Sequence, residues 1–118
     1  PAYITWEQAR EMQSSGMDIE SHTKNHPDLR QRSFDFLVFQ IVGSVESIVA
    51  NLNTTVHMFS YPAGRYDDVT LSVLNSTPIW LATTTRHGTL HTSDRPLELR
   101  RLRVSGDMGM AGLDQLLE

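Results

Sequence analysis

The segment from about Phe34 to Leu52 constrains the fold of this chain more than any other part of the sequence. Its apolar residues recur with a period of about 3.6, which predicts a long amphipathic helix with one buried face. These residues are Phe34, Leu37, Val38, Ile41, Val45, Ile48, Val49 and Leu52. The longest apolar run, from Phe36 to Val42, is interrupted by Gln40 and is too short to cross a bilayer, so we expect no membrane-spanning segment.

Shorter segments on either side of this helix have the patterns of strands. They combine alternation with apolar and β-branched residues. They are Met17–Ser21, Val56–Tyr61, Ile79–Thr84 and Leu99–Val104. The polar residues 22–32 and the aperiodic residues 86–98 are predicted to be loops.

Three more helices complete the pattern. The capping box of Thr5 and Gln8 predicts a helix at the start of the chain. Another is expected to begin near residue 67 and to end before Pro78, because the residue that precedes a proline disfavours the helical conformation. A last helical turn is expected over residues 112–117. The resulting order of helices and strands predicts an α/β fold with a parallel sheet.

Composition limits the classes of function. The chain has 118 residues, which suits one small domain or a piece of a larger one. A net charge of −4 lacks the basic field that nucleic-acid binding needs. Cysteine is absent, which excludes a disulfide framework and thiolate metal ligands.

Two polar clusters follow predicted strands, at the edge of the sheet where catalytic residues of such folds lie. In the first, His22 and His26 lie four residues apart and could bind a metal ion, or could be two solvated loop histidines. The second runs from Tyr61 to Tyr66 and contains Pro62-Ala63-Gly64. Such a bend can present backbone N–H groups to an oxyanion, or can simply be a strand-to-helix loop.

Together the two clusters resemble the polysaccharide deacetylase family, carbohydrate esterase family four. The family's second motif, His-Ser/Thr-x-x-His, is matched by His22, Thr23 and His26. Its third motif, Arg-x-Pro-Tyr-Gly, is similar to the segment from Ser60 to Gly64. The resemblance runs from about Tyr3 to the end of the chain. It implies a fragment of a distorted (β/α) barrel with parallel strands.

The resemblance also implies an activity, the hydrolysis of N- or O-acetyl groups on sugars with a divalent metal, zinc being the expected one. His22 and His26 would be metal ligands, and the backbone N–H of Ala63 would be an oxyanion donor. Tyr61 would line the acetyl pocket and, with Pro62 and Gly64, contact the substrate. The implied partner is an acetylated glycan, and the implied location is extracytoplasmic, secreted or at the cell envelope.

The sequence departs from the family pattern at the first motif, Thr-Phe-Asp-Asp-Gly, which has no counterpart here. In the family this motif carries the catalytic aspartate and a third metal ligand, and it precedes the histidine motif. We therefore expect residues 1–118 to be a partial domain that lacks its N-terminal strands and is inactive or nearly so by itself. Such a chain is expected either to self-associate through its open sheet edge or to belong to a larger structure that contains the first half.

Other departures concern single residues. Ser60 replaces the arginine of the third motif, so Arg101 is the candidate cation of the site and Arg65 is the alternative. Ala63 replaces an aromatic residue. No motif marks the general acid, for which His87 and His91 are candidates, although both could be exposed loop residues.

The sequence leaves two main functions open, a deacetylase and a non-catalytic relative that binds glycans or has a structural role. The histidine spacing alone would also allow a different metallohydrolase. The arginines near the end of the sequence also have two interpretations. They could contact a glycan, or could pair with Asp94 and Glu98 on a solvated face. These arginines are Arg95, Arg100, Arg101 and Arg103.

Overall fold

A three-stranded parallel sheet in the order β1-β2-β3 organises the chain in the computed structural model, which describes residues 3–118. The parallel pairing of both strand pairs confirms the predicted α/β class. The strands are β1 (Met58–Ser60), β2 (Leu81–His87) and β3 (Leu99–Arg101). The helices are α1 (Trp6–Ser14), α2 (Phe34–Leu52), α3 (Asp68–Asn75) and α4 (Gly109–Leu117), and a 3-10 turn spans Pro62–Gly64.

Helix α2 occupies the predicted residues. The Ser33 side chain caps its N-terminus by accepting from the N–H of Phe36, and Asn53 ends it in the left-handed conformation. Its buried face belongs to one hydrophobic cluster with residues of β1, α3 and β2. An 18-residue window of α2 has a mean hydropathy of 1.4, so its length and composition alone would also suit a membrane span. The burial of Leu37, Ile41 and Ile48 instead gives it the role of a core helix.

The predicted strand over Met17–Ser21 is wrong in extent. Only Ser21 pairs, in a single parallel bridge with Phe59 of β1. The ladder does not extend further because the Glu20 carboxylate accepts from the N–H groups of His57 and Met58, both at 3.0 Å. A side chain thus takes the place of backbone pairing at this edge, and the predicted self-association there stays a prediction.

The other strands and α4 differ from their predicted bounds by a few residues. β1 is shorter than Val56–Tyr61, and β3 ends at Arg101 instead of Val104. β2 begins later than Ile79 because the Ile79 N–H donates to the Thr77 hydroxyl in the turn that contains Pro78. These are differences of boundary, and apart from the Met17–Ser21 strand the order of elements is as predicted.

Candidate active site

The loop of His22 and His26 follows the Ser21 bridge and brings the two imidazoles together. Their ring centroids are 4.9 Å apart in an edge-to-face arrangement. Thr23 (φ 72°) and His26 (φ 56°) both adopt the left-handed conformation. The Thr23 hydroxyl accepts from the His26 N–H at 2.9 Å, which closes the turn. The side chain between the two histidines therefore helps to set their relative position.

The orientation of His22 is fixed by the second cluster. Its Nδ1 lies 2.6 Å from the carbonyl oxygen of Ser60. A carbonyl oxygen can only accept, so this contact requires a proton on Nδ1, and the Nε2 of the neutral ring is then left with its lone pair. Metal-binding histidines are oriented by contacts of this kind.

The Pro62–Gly64 turn presents a free backbone donor. Ala63 is exposed and left-handed at φ 53°. Among residues 3–118, no hydrogen bond engages its N–H. Gly64 (φ +69°) packs directly on Thr85, and a Cβ at this position would overlap the Thr85 hydroxyl. Close packing on β2 therefore explains the glycine and holds the Ala63 N–H in place.

Tyr61 is buried behind the turn. Its hydroxyl donates to the Leu97 carbonyl at 2.7 Å, and its ring stacks on Tyr66 with centroids 4.4 Å apart. Burial raises the pKa of the Tyr61 hydroxyl well above its usual range, and the neighbouring Tyr66 and Glu98 act in the same direction. Tyr61 therefore shapes the wall of the site as a neutral residue.

These parts meet in one cavity of about 490 Å³, which we call the histidine cleft. It is lined by His22, His26, Tyr61, Ala63 and Arg101, together with Glu20, Ser21, Ser60 and Thr83–Thr85. Pro62 and Gly64 build the adjoining turn but do not line the cavity. The strand ends thus bring together the two clusters that the sequence places far apart.

The two candidate cations of the site, Arg101 and Arg65, lie in different places. The Nε of Arg101 donates to the Thr84 carbonyl at 2.9 Å, which holds the guanidinium in the histidine cleft. Arg65 instead lies 3.5 Å from Asp28. A side-chain hydrogen bond from Arg30 holds the pKa of the Asp28 carboxyl well below its usual range, with a smaller contribution from the charge of Arg65.

Neither candidate for the general acid lines the histidine cleft. His87 is the last residue of β2, and the Nε2 of His91 lies 3.0 Å from the carbonyl oxygen of Arg100.

The fit of this site to a metal ion is partial. The two imidazoles are suitable ligands, since the contact with Ser60 leaves the Nε2 of His22 available. Within residues 3–118, no group of three histidine, cysteine, aspartate or glutamate side chains is placed to hold a metal. Glu20 lines the cleft, and its Oε2 already accepts from the N–H groups of His57 and Met58. The described residues therefore offer two of the roughly three protein ligands that a catalytic zinc site uses.

Sequence reasoning missed two supports of the site. Ser60, which stands where the family has arginine, shares a hydrogen bond of 2.8 Å with the hydroxyl of Thr83 on β2. The buried amide of Gln40 contacts residues 22–26, which we call the histidine loop, and the only signal for this contact in the sequence was the interruption of an apolar run.

The parallel α/β fold and the histidine cleft at its strand ends are the features of a carbohydrate deacetylase domain. The chain belongs to the polysaccharide deacetylase family, whose model matches residues 2–81. Its nearly complete superposition on solved members identifies the fold as part of their (β/α) barrel.

Individual relatives give the extent of the match. The deacetylase PplD of Streptococcus pyogenes, solved in complex with acetate, is 34% identical with a TM-score of 0.92, over 99% of this chain and 52% of that one. YxkH of Bacillus subtilis (strain 168), assigned by its name to the polysaccharide deacetylases, is 28% identical over 98% of this chain and 42% of its own. This chain thus spans about half the length of these relatives.

A third relative shows that the fold does not require activity. BA3943 of Bacillus anthracis is a pseudoenzyme of carbohydrate esterase family four. It is 19% identical, with a TM-score of 0.62 over 65% of this chain and 27% of that one. At this identity the likeness concerns the fold alone.

Proposed function

We propose that this chain carries the histidine half of a metal-dependent site that deacetylates an acetylated polysaccharide. The observation that carries the proposal is the meeting in one cleft of an oriented histidine pair and an Ala63 N–H that no residue of 3–118 engages. The acetate bound to the related deacetylase PplD supports it, since acetate is the product of deacetylation. From this substrate class we further propose that the protein works outside the cytoplasm or at the cell envelope.

The residues of this chain have separable roles in that reaction. Water adds to the acetyl carbonyl, the C–N or C–O bond breaks, acetate leaves, and the sugar nitrogen or oxygen takes up a proton. The N–H of Ala63 donates to the carbonyl oxygen as negative charge develops there. The buried ring of Tyr61 excludes water from one wall. Arg101 adds a positive charge that can orient a carboxylate.

His22 and His26 would hold the metal, with zinc as the expected ion. When bound, such an ion polarises the carbonyl and activates water. None of the residues given a role above transfers the protons of this reaction. We therefore propose that residues 1–118 alone release no acetate above background.

Zinc titration by calorimetry tests the histidine pair. Binding is expected in the unchanged chain and loss of binding in the double variant His22→Ala, His26→Ala. His57→Ala is the matched control, because His57 lies outside the histidine cleft and contacts Thr55. Equal zinc affinity in the chain and its double variant would refute the proposal.

Acetate release from an N-acetylated chitooligosaccharide is the second measurement. Release that depends on His22 and His26 would show that the chain is active by itself.

A non-catalytic, glycan-binding relative is the second candidate. It is favoured by Ser60 and Ala63 at two positions of the third motif and by the incomplete ligand set within the described residues. Glycan binding that is independent of zinc, with no zinc affinity at the histidine pair, would support this candidate over the first.

A further inference from the structure

Gln40 is a polar residue on the buried face of α2. It is 4% exposed, and it lies one helical turn from the buried side chains of Leu37 and Ser44. A buried amide is unfavourable unless its hydrogen-bonding groups are paired. Its partners therefore indicate why glutamine occupies this position between the apolar core residues Leu37 and Ile41.

All the partners of Gln40 lie between the two histidines. Its Oε1 accepts from the N–H of Lys24 at 3.1 Å and from the N–H of Asn25 at 3.0 Å. Its Nε2 donates to the Oδ1 of Asn25 at 3.0 Å. One side chain of a rigid core helix thus makes three hydrogen bonds with the loop. It makes no hydrogen bond to either imidazole.

The loop needs such an anchor because its backbone is strained. Thr23 and His26 are left-handed without being glycine, a conformation that persists only where surrounding contacts impose it. Ser44, the next polar residue on the same face of α2, shares a hydrogen bond of 2.9 Å with Ser21 and so fixes the residue before His22. Helix α2 therefore holds the histidine loop at its start and in its middle.

We propose that Gln40 is a positioning residue that holds His22 and His26 in their metal-binding arrangement. The inference rests on the proposed metal function and deepens it. Supporting contacts around metal ligands typically change metal affinity by about 10–100-fold when they are removed. The affinity of the histidine pair should then depend on a side chain that does not touch the metal.

Two substitutions separate positioning from stability. Gln40→Leu removes all three hydrogen bonds and leaves an apolar side chain that suits the core. Gln40→Glu keeps an acceptor for the two N–H groups and loses the donor to Asn25. Thr70→Val is the matched control, since Thr70 is fully buried and bonds the Leu29 carbonyl outside the histidine loop.

Amide hydrogen exchange and zinc titration are the readouts. In Gln40→Leu we expect the exchange of the Lys24 and Asn25 amides to become about tenfold faster or more, and zinc affinity to fall by about tenfold. Gln40→Glu should lie between this variant and the unchanged chain. Thr70→Val should leave both quantities unchanged even where thermal unfolding shows a loss of stability.

Two outcomes would overturn the inference. One is unchanged exchange and zinc affinity in Gln40→Leu. The other is an equal loss of affinity in Thr70→Val, which would trace the effect to global stability. If the unchanged chain binds no zinc, the metal function itself fails, and the exchange of the two amides alone decides whether Gln40 holds the loop.

Discussion

The part of the chain before Gly88 and the part from Gly88 onward are built differently. In the first part, the core cluster and a set of hydrogen bonds between distant segments hold each loop of the histidine cleft. In the second part, Leu97 is the only buried apolar residue among residues 88–118, and helix α4 has no buried residue. The match to the family model also ends within the first part, at residue 81.

The charged groups show the same contrast. A second cavity of about 480 Å³ is lined by arginines and carboxylates, namely Arg86, Arg95, Arg100, Asp94 and Glu98. The ion pairs that the sequence suggested for these carboxylates do not form within residues 3–118, where both salt bridges involve Asp28. Glu98 instead accepts from the Tyr66 hydroxyl at 2.8 Å.

A preorganised site requires surroundings that are locally stable. Local stability follows buried apolar contacts and shielded hydrogen bonds, and it varies strongly across a structure. Every residue that lines the histidine cleft except Arg101 belongs to the first part, which has both. Substitutions matched between the two parts should therefore differ in their cost.

The largest difference is expected between two leucines. Leu37 is fully buried in α2, whereas Leu117 in α4 is 68% exposed. Leu37→Ala should lower the free energy of unfolding by about 3 kcal/mol, because it removes apolar contacts and leaves a cavity. Leu117→Ala should change it by less than about 0.5 kcal/mol. Urea denaturation measures both, and comparable losses would mean that α4 belongs to the cooperative core.

Two glycines allow the same comparison at the candidate site itself. Gly64 and Gly109 share a φ of +69°, but only Gly64 has a neighbour, Thr85, that an added Cβ would overlap. Gly109→Ala should cost less than about 1 kcal/mol, because its backbone strain falls in a segment that adds little to the cooperative core. Gly64→Ala should cost about 3 kcal/mol, because the overlap adds to the same strain. If the two variants unfold at the same urea concentration, the turn is not packed on β2 as the structure has it.

The sequence predicted the elements whose signal is local. The period of α2 and the capping box of Thr5 and Gln8 depend on neighbouring residues, and both are found as predicted. Strand bounds depend on distant partners. The Met17–Ser21 strand was overpredicted because nothing local shows that the Glu20 carboxylate replaces the backbone ladder.

In the candidate site, too, local features could be predicted from the sequence and contacts between distant residues could not. The residue types of His22, His26 and the Pro62–Gly64 turn could be identified from their motifs, and the structure brings them together. The orientation of His22 by the Ser60 carbonyl could not be foreseen, since a backbone atom contributes the contact. The role of Gln40 could not be foreseen either, because its partners lie 15 and 16 residues away.

The smallest expected difference concerns two aspartates at low pH. Asp67 caps α3 and accepts from the N–H of Gln31 at 2.7 Å, and this backbone hydrogen bond is the main cause of its lowered pKa. The pKa of Asp107 is also lowered, by a hydrogen bond from the Ser105 side chain, but this carboxyl is fully exposed.

A carboxyl whose pKa is lower in the folded chain than in the unfolded one stabilises the fold above its unfolded pKa of about 4. That contribution is lost as the pH falls through the folded pKa. In Asp67→Asn, the neutral amide oxygen can still cap the helix, and the pH-dependent part, about 1 kcal/mol at most for this partly exposed group, should disappear. Stability should therefore fall less steeply below pH 4 in this variant than in the unchanged chain.

Asp107→Asn should leave the acid limb of the stability curve unchanged, because solvent screens an exposed carboxyl and the surrounding segment adds little to the cooperative core. Thermal unfolding between about pH 2 and pH 6 measures both variants against the unchanged chain. A flatter acid limb in Asp107→Asn than in Asp67→Asn would reverse the ranking of the two parts of the chain. It would show that the segment after Gly88 contributes more to cooperative stability than its exposure indicates.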